Sequence, residues 1–360
     1  MKKLILSTII LLFIFSACEK TPGGKKNPDW NPSARFPDTV VNLSDINSPY
    51  DDYNSVLPET HFGKALIFSS NRRTSGGDFD LIGEIFHAAW YWETGELIVD
   101  DSYFWQETNW VAKLLNKMPS SGNQFGPYSI SFDTLIDGTH KIIHLLACSN
   151  DNGSYSYQEE FVYQESSLTG VLGEVKGPLY VAGVSDPHKQ YVSFYGPAVF
   201  NIDLIGINAN DFTQMYFNKT IDGKSKIFRI NIPSSMNFLQ FLTDTIAHSQ
   251  EIVPELNSEG NDFCPFVNGN FMVFTSDRAG GFGGYDLYYS YFDGTTWSEP
   301  INFGEKINTP YDEFRPVPVN VQEFQNDLLI FSSNRPGGLG GFDLYYVGIA
   351  KFGPQIIIDK

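Results

Sequence analysis

Five acidic residues recur at corresponding places along this chain, and they are its most chemistry-like feature. They precede or begin short apolar runs, and they are Asp51, Asp52, Asp262, Asp312 and Glu313. Glycoside hydrolysis needs two carboxyl groups that flank the scissile bond, one acting as acid and the other as nucleophile or base. The two need different environments, so that one is protonated and the other is not. Because the same acid recurs in several copies, as a structural loop residue would, we expect these residues to accept backbone hydrogen bonds and to form no open pair at glycosidase spacing.

A second recurring set pairs arginine with aspartate across a glycine-rich segment. The two residues of each pair are eight positions apart, and the pairs are Arg72 with Asp80, Arg278 with Asp286, and Arg335 with Asp343. A guanidinium can hold a carboxylate through two parallel hydrogen bonds. We expect each pair to staple its own loop, because function resides in a particular site rather than in a repeated fold element.

Other catalytic patterns are missing from the sequence. There is no Gly-x-Ser-x-Gly elbow, no phosphate-binding loop and no Cys/His nucleophile pair. His140 and His144 are separated by residues typical of a strand, and four strand residues span roughly 13 Å, too far for two ligands of one metal ion. The sequence therefore predicts neither a metal site nor a cofactor.

The recurring acids and the arginine–aspartate pairs belong to a repeat. Ser276–Tyr289 matches Ser333–Tyr346 at ten of fourteen positions without a gap, and a degenerate third copy lies within Ser70–Leu81. Each copy has an apolar run that ends in small hydroxyl residues, then a glycine-rich loop, then a second apolar run. This order predicts a β-hairpin. A second motif precedes the hairpin, since Ile46–Tyr53 aligns with Ile307–Phe314.

The repeat predicts an all-β fold. Four strands per repeat, arranged radially, form the blades of a single β-propeller. Leu145–Asn150 and Met215–Lys219 are the expected second strands of two degenerate blades, so the count is five. A sixth blade is left open in the aromatic stretch 86–118. Phe36–Leu43 is placed to complete the last blade, so that the N- and C-terminal segments pair and close the ring.

The repeated pattern Ser-x-Arg-x-Gly-Gly-x-Gly-Gly-x-Asp-Leu-Tyr resembles the WD40-like (PD40) repeat of TolB-type propellers. The resemblance covers 257–347 and 46–82 and fades in the middle of the chain. Such repeats are frequent in outer-membrane lipoproteins of Bacteroidetes-type bacteria. The resemblance therefore implies a protein of the cell envelope.

The N-terminus predicts export. Residues 1–17 combine Lys2 and Lys3 with an apolar run and the small pair Ser16-Ala17, as a signal peptide does. The Cys18 that follows resembles the lipidated cysteine of bacterial lipoproteins, which predicts an outer-membrane lipid anchor. Residues 18–33 form an expected flexible tether, and 34–360 form the propeller domain. Whether the protein faces the periplasm or the cell surface is left open.

The charge narrows the choice of partners. A formal net charge of −18 argues against nucleic acid and against direct binding to anionic lipid, so membrane contact is expected through the N-terminal lipid alone. We expect the five recurring acids to gather at one mouth of the propeller channel. The leading prediction is a non-catalytic binding or scaffolding module, not an enzyme, with an unidentified envelope protein or glycan as ligand. The alternatives are a five-bladed carbohydrate-active enzyme of the glycoside hydrolase type and a small-ligand sensor.

Overall fold

The structure is a computed structural model that describes residues 35–60, 63–87, 109–119, 122–151, 157–181, 190–197, 199, 207–321 and 324–353. The predicted signal peptide, the tether and the lipidation site Cys18 lie outside the described residues.

Five antiparallel sheets, each four-stranded, form the blades of a β-propeller. The strands of blades 1 to 3 are β2 (Asp52–Val56), β3 (Glu59–Thr60), β4 (Gly63–Ser70) and β5 (Asp80–His87); β6 (Asn123–Ile136), β7 (Thr139–Asp151), β8 (Tyr157–Ser167) and β9 (Leu172–Tyr180); β10 (Gln190–Tyr195), β11 (Gln214–Ile221), β12 (Lys224–Asn231) and β13 (Glu251–Ile252). Those of blades 4 and 5 are β14 (Asp262–Asn268), β15 (Phe271–Ser276), β16 (Asp286–Tyr291) and β17 (Ile301–Asn302); β18 (Glu313–Val319), β19 (Asp327–Ser333), β20 (Asp343–Ile349) and β1 (Val41–Asn42). The predictions of an all-β fold and of five blades are confirmed.

The ring is closed by strand pairing between distant parts of the chain. Strand β1 is the outer strand of blade 5, where Val41 pairs with Tyr346 and Asn42 with Tyr345. The amide of Leu43 adds a hydrogen bond of 3.0 Å to the carbonyl of Leu344. Closure of the ring by the N- and C-terminal segments is therefore confirmed.

The core lies between the faces of neighbouring blades. Strand β15 is buried at all six of its residues and β19 at all seven, because each second strand has another blade packed on both of its faces. This explains why these runs are continuously apolar rather than alternating. The predicted second strands of the degenerate blades are found as the central parts of β7 and β11.

The first strands of the five blades neighbour one another around the axis, and each carries the same irregularity. One residue in each first strand has a left-handed backbone, with φ between 49° and 60°, next to a shift in strand register. These residues, here called the axial residues, are Asn54, Gly126, Tyr191, Cys264 and Arg315. A bulge of this kind bends the strand and redirects a side chain.

The axial residues also join the blades. In four of the five blades the backbone amide of the axial residue donates a hydrogen bond to the end of the second strand of the preceding blade. The four bonds, of 3.0–3.1 Å, run from Asn54 to Ser332, Tyr191 to Ser149, Cys264 to Asn218, and Arg315 to Thr275. A polar residue late in the second strand therefore satisfies a buried donor of the next blade at four of the five junctions.

Two short helices, α1 (Trp110–Leu115) and α2 (Phe238–Leu242), lie between strands. The side chain of Asn109 caps the first turn of α1 by accepting a hydrogen bond from the amide of Val111. Neither helix has the length and apolarity needed to span a bilayer, and the described part of the chain has no other candidate.

Candidate functional site

The repeated arginines do not bind the aspartates that were predicted to hold them. Nη2 of Arg278 lies 2.7 Å from a carboxylate oxygen of Asp262, and Nη2 of Arg335 lies 2.9 Å from one of Glu313. Arg72 is bound in the same way to Asp52. The prediction is wrong because the arginine follows the second strand directly opposite the start of the first strand, so the acid of the first strand is nearer.

The predicted aspartate partners serve the glycine-rich loops instead. Asp286 accepts a hydrogen bond of 2.6 Å from the amide of Phe282, and Asp343 accepts one of 2.6 Å from the amide of Leu339. These carboxylates begin the third strands, and they turn back into the loop to bind its backbone. The pairings predicted for Arg278 with Asp286 and for Arg335 with Asp343 are therefore replaced by two separate structural roles. The predicted pair of Arg72 with Asp80 is replaced by the pair of Arg72 with Asp52.

The five recurring acids also have structural partners. Asp52, Asp262 and Glu313 are fully buried beside their arginines. Asp51 and Asp312 accept hydrogen bonds of 2.8 and 3.0 Å from the amides of Phe342 and Tyr285, which immediately precede the third strands of the preceding blades. None of the five acids lines the aromatic cavity that opens at the mouth of the channel.

An aromatic cavity of about 320 Å³ opens at the mouth of the channel. Its lining consists of Tyr53, Phe79, Asn123, Phe125, Asp151, Gln190, Tyr191, Phe263 and Phe314. The volume is at the lower end of the range of roughly 300–1,000 Å³ that is usual for small-molecule sites. Mostly apolar walls with a few polar groups are typical of such sites.

The aromatic walls come from the repeat itself. Tyr53, Phe125, Phe263 and Phe314 each stand immediately before the axial residue of their blade, and blade 3 has Gln190 at that point. The ring centroids of Phe263 and Phe314 are 5.9 Å apart. A ring of aromatic side chains therefore surrounds the mouth because four blades repeat one position.

Tyr191 lies across the axis at the base of this cavity. A Cβ atom added at Gly126 would come within 2.4 Å of the Tyr191 ring, so glycine at this axial position leaves the space that the ring occupies. The guanidinium carbon of Arg315 is 5.4 Å from the centroid of the Tyr191 ring and 5.1 Å from that of Phe266. Nη2 of Arg315 also donates a hydrogen bond to the carbonyl of Pro127, the residue that follows Gly126 in blade 2. Arg315 therefore lies below the ring that forms the floor of the cavity.

One residue next to this cavity breaks the repeat. The end of the second strand pairs with a buried leucine or isoleucine on the third strand in four blades, and these residues are Leu81, Ile227, Leu287 and Leu344. In blade 2 the corresponding residue, paired with Ser149, is Glu159. Only 4% of this glutamate is exposed. A carboxyl group at an apolar position of a repeat is not required by the fold.

Glu159 is held at the wall between blades 2 and 3. The hydroxyl of Ser149 donates a hydrogen bond of 2.6 Å to Glu159 Oε2 while accepting one from the amide of the cavity residue Tyr191. Burial raises the pKa of Glu159 to about 8, against the opposing effects of Ser149 and of the Arg315 charge. At neutral pH this carboxyl group is therefore mainly protonated, and it can act as an acid.

Asp151, a cavity-lining carboxylate, lies on the same face of the same sheet. Ser149 and Asp151 are two residues apart on β7, so their side chains share a face, and Asp151 pairs with Tyr157 on β8. Glu159 and Asp151 are thus diagonal neighbours across the strand pair, and such residues are roughly 7–8 Å apart. The sequence prediction missed both residues.

The described residues contain no group of three or more His, Cys, Asp or Glu side chains that could hold a metal ion. His144 lies 2.8 Å from the Ser131 hydroxyl and stacks on Trp110, whereas His140 lies 3.3 Å from a carboxylate oxygen of Asp133. Both histidines have partners within the protein.

The fold is that of a five-bladed β-propeller, and one solved structure supports this class directly. A protein titled a glycoside hydrolase matches with a TM-score of 0.53 over 91% of this chain and 95% of its own, at 6% identity. An α-L-arabinofuranosidase from Lactobacillus brevis, 12% identical over 86% of this chain and 94% of its own, has a TM-score of 0.44, too low to carry an argument. No family model matches the chain, and no curated protein matches it.

These comparisons correct the functional predictions. The comparison contradicts the prediction of a non-catalytic binding or scaffolding module, not an enzyme, because the structure that matches this chain is titled a glycoside hydrolase. The resemblance to WD40-like repeats of TolB-type propellers holds only for the coarser feature, the β-propeller. At 6% identity the likeness establishes the fold and assigns no activity to this chain.

Proposed function

We propose that this protein is a carbohydrate-active enzyme that hydrolyses a glycoside at the mouth of the propeller channel. The observation that carries the proposal is Glu159, a buried and mainly protonated carboxyl group at a position where the other four blades have an aliphatic residue. A repeat protein that replaces an aliphatic core residue with an acid loses stability, so the acid is there for a purpose other than folding.

The proposed roles follow from the two environments. Glu159 is the general acid that protonates the leaving oxygen, and Asp151 is the carboxylate that acts as nucleophile or as base for a water molecule. Two carboxyl groups in different environments, one buried and one lining the cavity, are the usual basis of such an assignment. Diagonal neighbours are about 7–8 Å apart, which lies within the separation of about 6.5–9.5 Å found in inverting glycosidases and above the about 5–5.5 Å of retaining ones.

The aromatic walls supply the binding surface. A sugar ring has an apolar face of C–H groups, which packs on aromatic side chains such as Phe263 and Phe314, while Asn123 and Gln190 are placed to bind hydroxyl groups. The cavity of about 320 Å³ has room for one sugar residue, with the rest of a chain outside. The expected envelope location and lipid anchor at Cys18 are part of this proposal, as is the resemblance of the motif to TolB-type repeats.

The test is turnover on a panel of pyranosides, furanosides and oligosaccharides by the purified protein. Glu159→Gln and Asp151→Asn should each lower kcat by about 100-fold or more, the usual contribution of general acid–base catalysis. Glu160→Gln is the matched control, because Glu160 is the adjacent glutamate on the opposite face of β8 and bonds to Asn150. Turnover that survives in both test variants, or no turnover by the wild-type protein on the whole panel, would overturn the proposal.

A further inference from the structure

The axis of the propeller contains a buried cation whose hydrogen-bonding capacity is mostly unused. Arg315 is 0% exposed, and its Nη2 donates a hydrogen bond of 2.9 Å to the carbonyl of Pro127. Its Nε and Nη1 are also buried, and they have no partner among the described residues. A guanidinium has only donors, so these two groups need an acceptor.

A second unpartnered group occupies the axial position of the neighbouring blade. Asn54 is the axial residue of the next blade and is 0% exposed, and neither Nδ2 nor Oδ1 of its side chain has a partner in the described part of the chain. Its backbone amide binds Ser332, which pairs with Phe314, the residue before Arg315. The two unpartnered side chains therefore belong to neighbouring blades at the same position of the bulge.

The ionisable groups of the described residues that act on Arg315 supply no full negative charge. The ionisable groups that act on Arg315 are Cys264, Tyr191, Glu159 and Tyr128. Burial raises the pKa of each of them, to about 12 for Cys264 and about 8 for Glu159. At neutral pH these groups are mainly uncharged, and an uncompensated buried charge is strongly unfavourable.

We propose that a small monovalent anion of halide size binds on the propeller axis, between the guanidinium of Arg315 and the side-chain amide of Asn54. Nε and Nη1 of the arginine and Nδ2 of the asparagine would donate to it, and its single charge would match that of the arginine. The site excludes larger anions because both residues are fully buried and the Tyr191 ring lies between Arg315 and the cavity. This binding site goes beyond the proposed reaction, and the two are linked only through the charge of Arg315, which acts on Glu159.

The solution test compares bromide with gluconate at constant ionic strength and pH 7. The Tm of the wild-type protein should rise with bromide and reach a plateau, because only the folded state holds the ion. Arg315→Met should lose this dependence. Arg73→Met is the control for non-specific anion effects, since Arg73 is exposed, and it should behave as wild type.

Asn54→Gly is the second variant, in case Arg315→Met does not fold. Asn54 has φ of 57° and Gly126 occupies the equivalent axial position, so glycine keeps this backbone while removing the amide. Loss of one donor should weaken the apparent bromide affinity by about tenfold. Crystals grown with bromide should show an anomalous peak beside Arg315 Nε. A wild-type Tm that is indifferent to bromide, an unchanged response in the variants, or a water at that place in bromide-grown crystals would overturn the proposal.

Discussion

The backbone amide of Asn54, in the first blade, donates a hydrogen bond of 3.0 Å to the hydroxyl of Ser332, in the last blade. The bond crosses the place where the ring closes, and equivalent bonds join the later blades. Both residues are fully buried. The polar residue late in the second strand is therefore part of the blade interface at four of the five junctions.

Replacing this hydroxyl should loosen the ring. Ser332→Ala leaves the buried amide of Asn54 without an acceptor, so we expect the free energy of unfolding to fall by about 1–3 kcal/mol. Ser332→Thr keeps the hydroxyl, as Thr275 does at the equivalent place in blade 4, and should cost less. Urea unfolding of the two variants measures the difference. Equal stability of the alanine and threonine variants would contradict this role.

The buried pair of Arg335 and Glu313 should show strong coupling. The carboxylate is fully buried and the arginine side chain is 13% exposed, and removing one member of such a pair costs about 3–5 kcal/mol. In a double-mutant cycle with alanine, the double variant should cost less than the sum of the single variants. The same cycle with Asp343 in place of Glu313 is the control, and we expect little coupling there. Stronger coupling to Asp343 would restore the pairing predicted from the sequence.

Stability should depend on pH through Glu159. Its pKa is about 8 in the folded protein, whereas an unfolded glutamate titrates near about 4.3. Between these values the folded state binds a proton that the unfolded state lacks, so the free energy of unfolding falls as the pH rises from about 4.5 to 8. Glu159→Gln should reduce this slope. Identical slopes for the variant and the wild type would show that Glu159 ionises near its ordinary pKa.

Activity should follow the same titration. As the pH rises through about 8, Glu159 loses the proton that the proposed acid must donate, and kcat should fall. The pH–rate profile of the wild-type enzyme measures this limb. A kcat that is constant from pH 6 to 10 would contradict the role of Glu159 as acid.

Restoring the aliphatic residue of the repeat should separate stability from function. Glu159→Leu gives blade 2 the residue type found at Leu81, Leu287 and Leu344. Replacing a buried acid with an apolar side chain removes its desolvation cost, so we expect the Tm to rise or stay level while turnover is lost. Thermal unfolding and the glycoside assay are compared on one preparation. A large fall in Tm would mean that Glu159 stabilises the blade interface.

The lipid anchor has a direct test in cells. Cys18→Ala removes the acylation site, so the protein should move from the membrane fraction to the soluble fraction. Mass spectrometry of the N-terminal peptide should find acyl chains in the wild type. Unchanged fractionation together with an unmodified cysteine would contradict the lipoprotein prediction.

Much of the fold was predictable because the copies of the repeat are recognisably similar in sequence. The hairpin copies around Arg278 and Arg335 show the strand order directly, and the position of Phe36–Leu43 before the first motif predicts the closing strand. The arginine partners were not predictable by the same route. Each arginine has an acid eight residues ahead and another at the start of the first strand, and only the tertiary structure decides between them.

The residues of the candidate site could not be predicted from the sequence for a different reason. Glu159 is unusual only when it is compared with Leu287 or Leu344, and that comparison needs the strand register of a blade with no recognisable motif. Ser149, which aligns with the hydroxyl residues Ser69, Thr275 and Ser332 of three other second strands, was the available signal. Arg315 was hidden because a left-handed backbone at a residue other than glycine leaves no mark in the sequence.

The strand that closes the ring has a consequence for biosynthesis. Val41 is made long before Tyr346, its partner in blade 5. Strand β1 therefore has no partner strand until β20 has been synthesised, after all the other blades. A chain that stops before β20 leaves β1 unpaired and blade 5 open at its edge, where proteases and other chains have access. Ring closure thus distinguishes full-length chains from truncated ones, because only a chain translated through β20 can form the closed propeller.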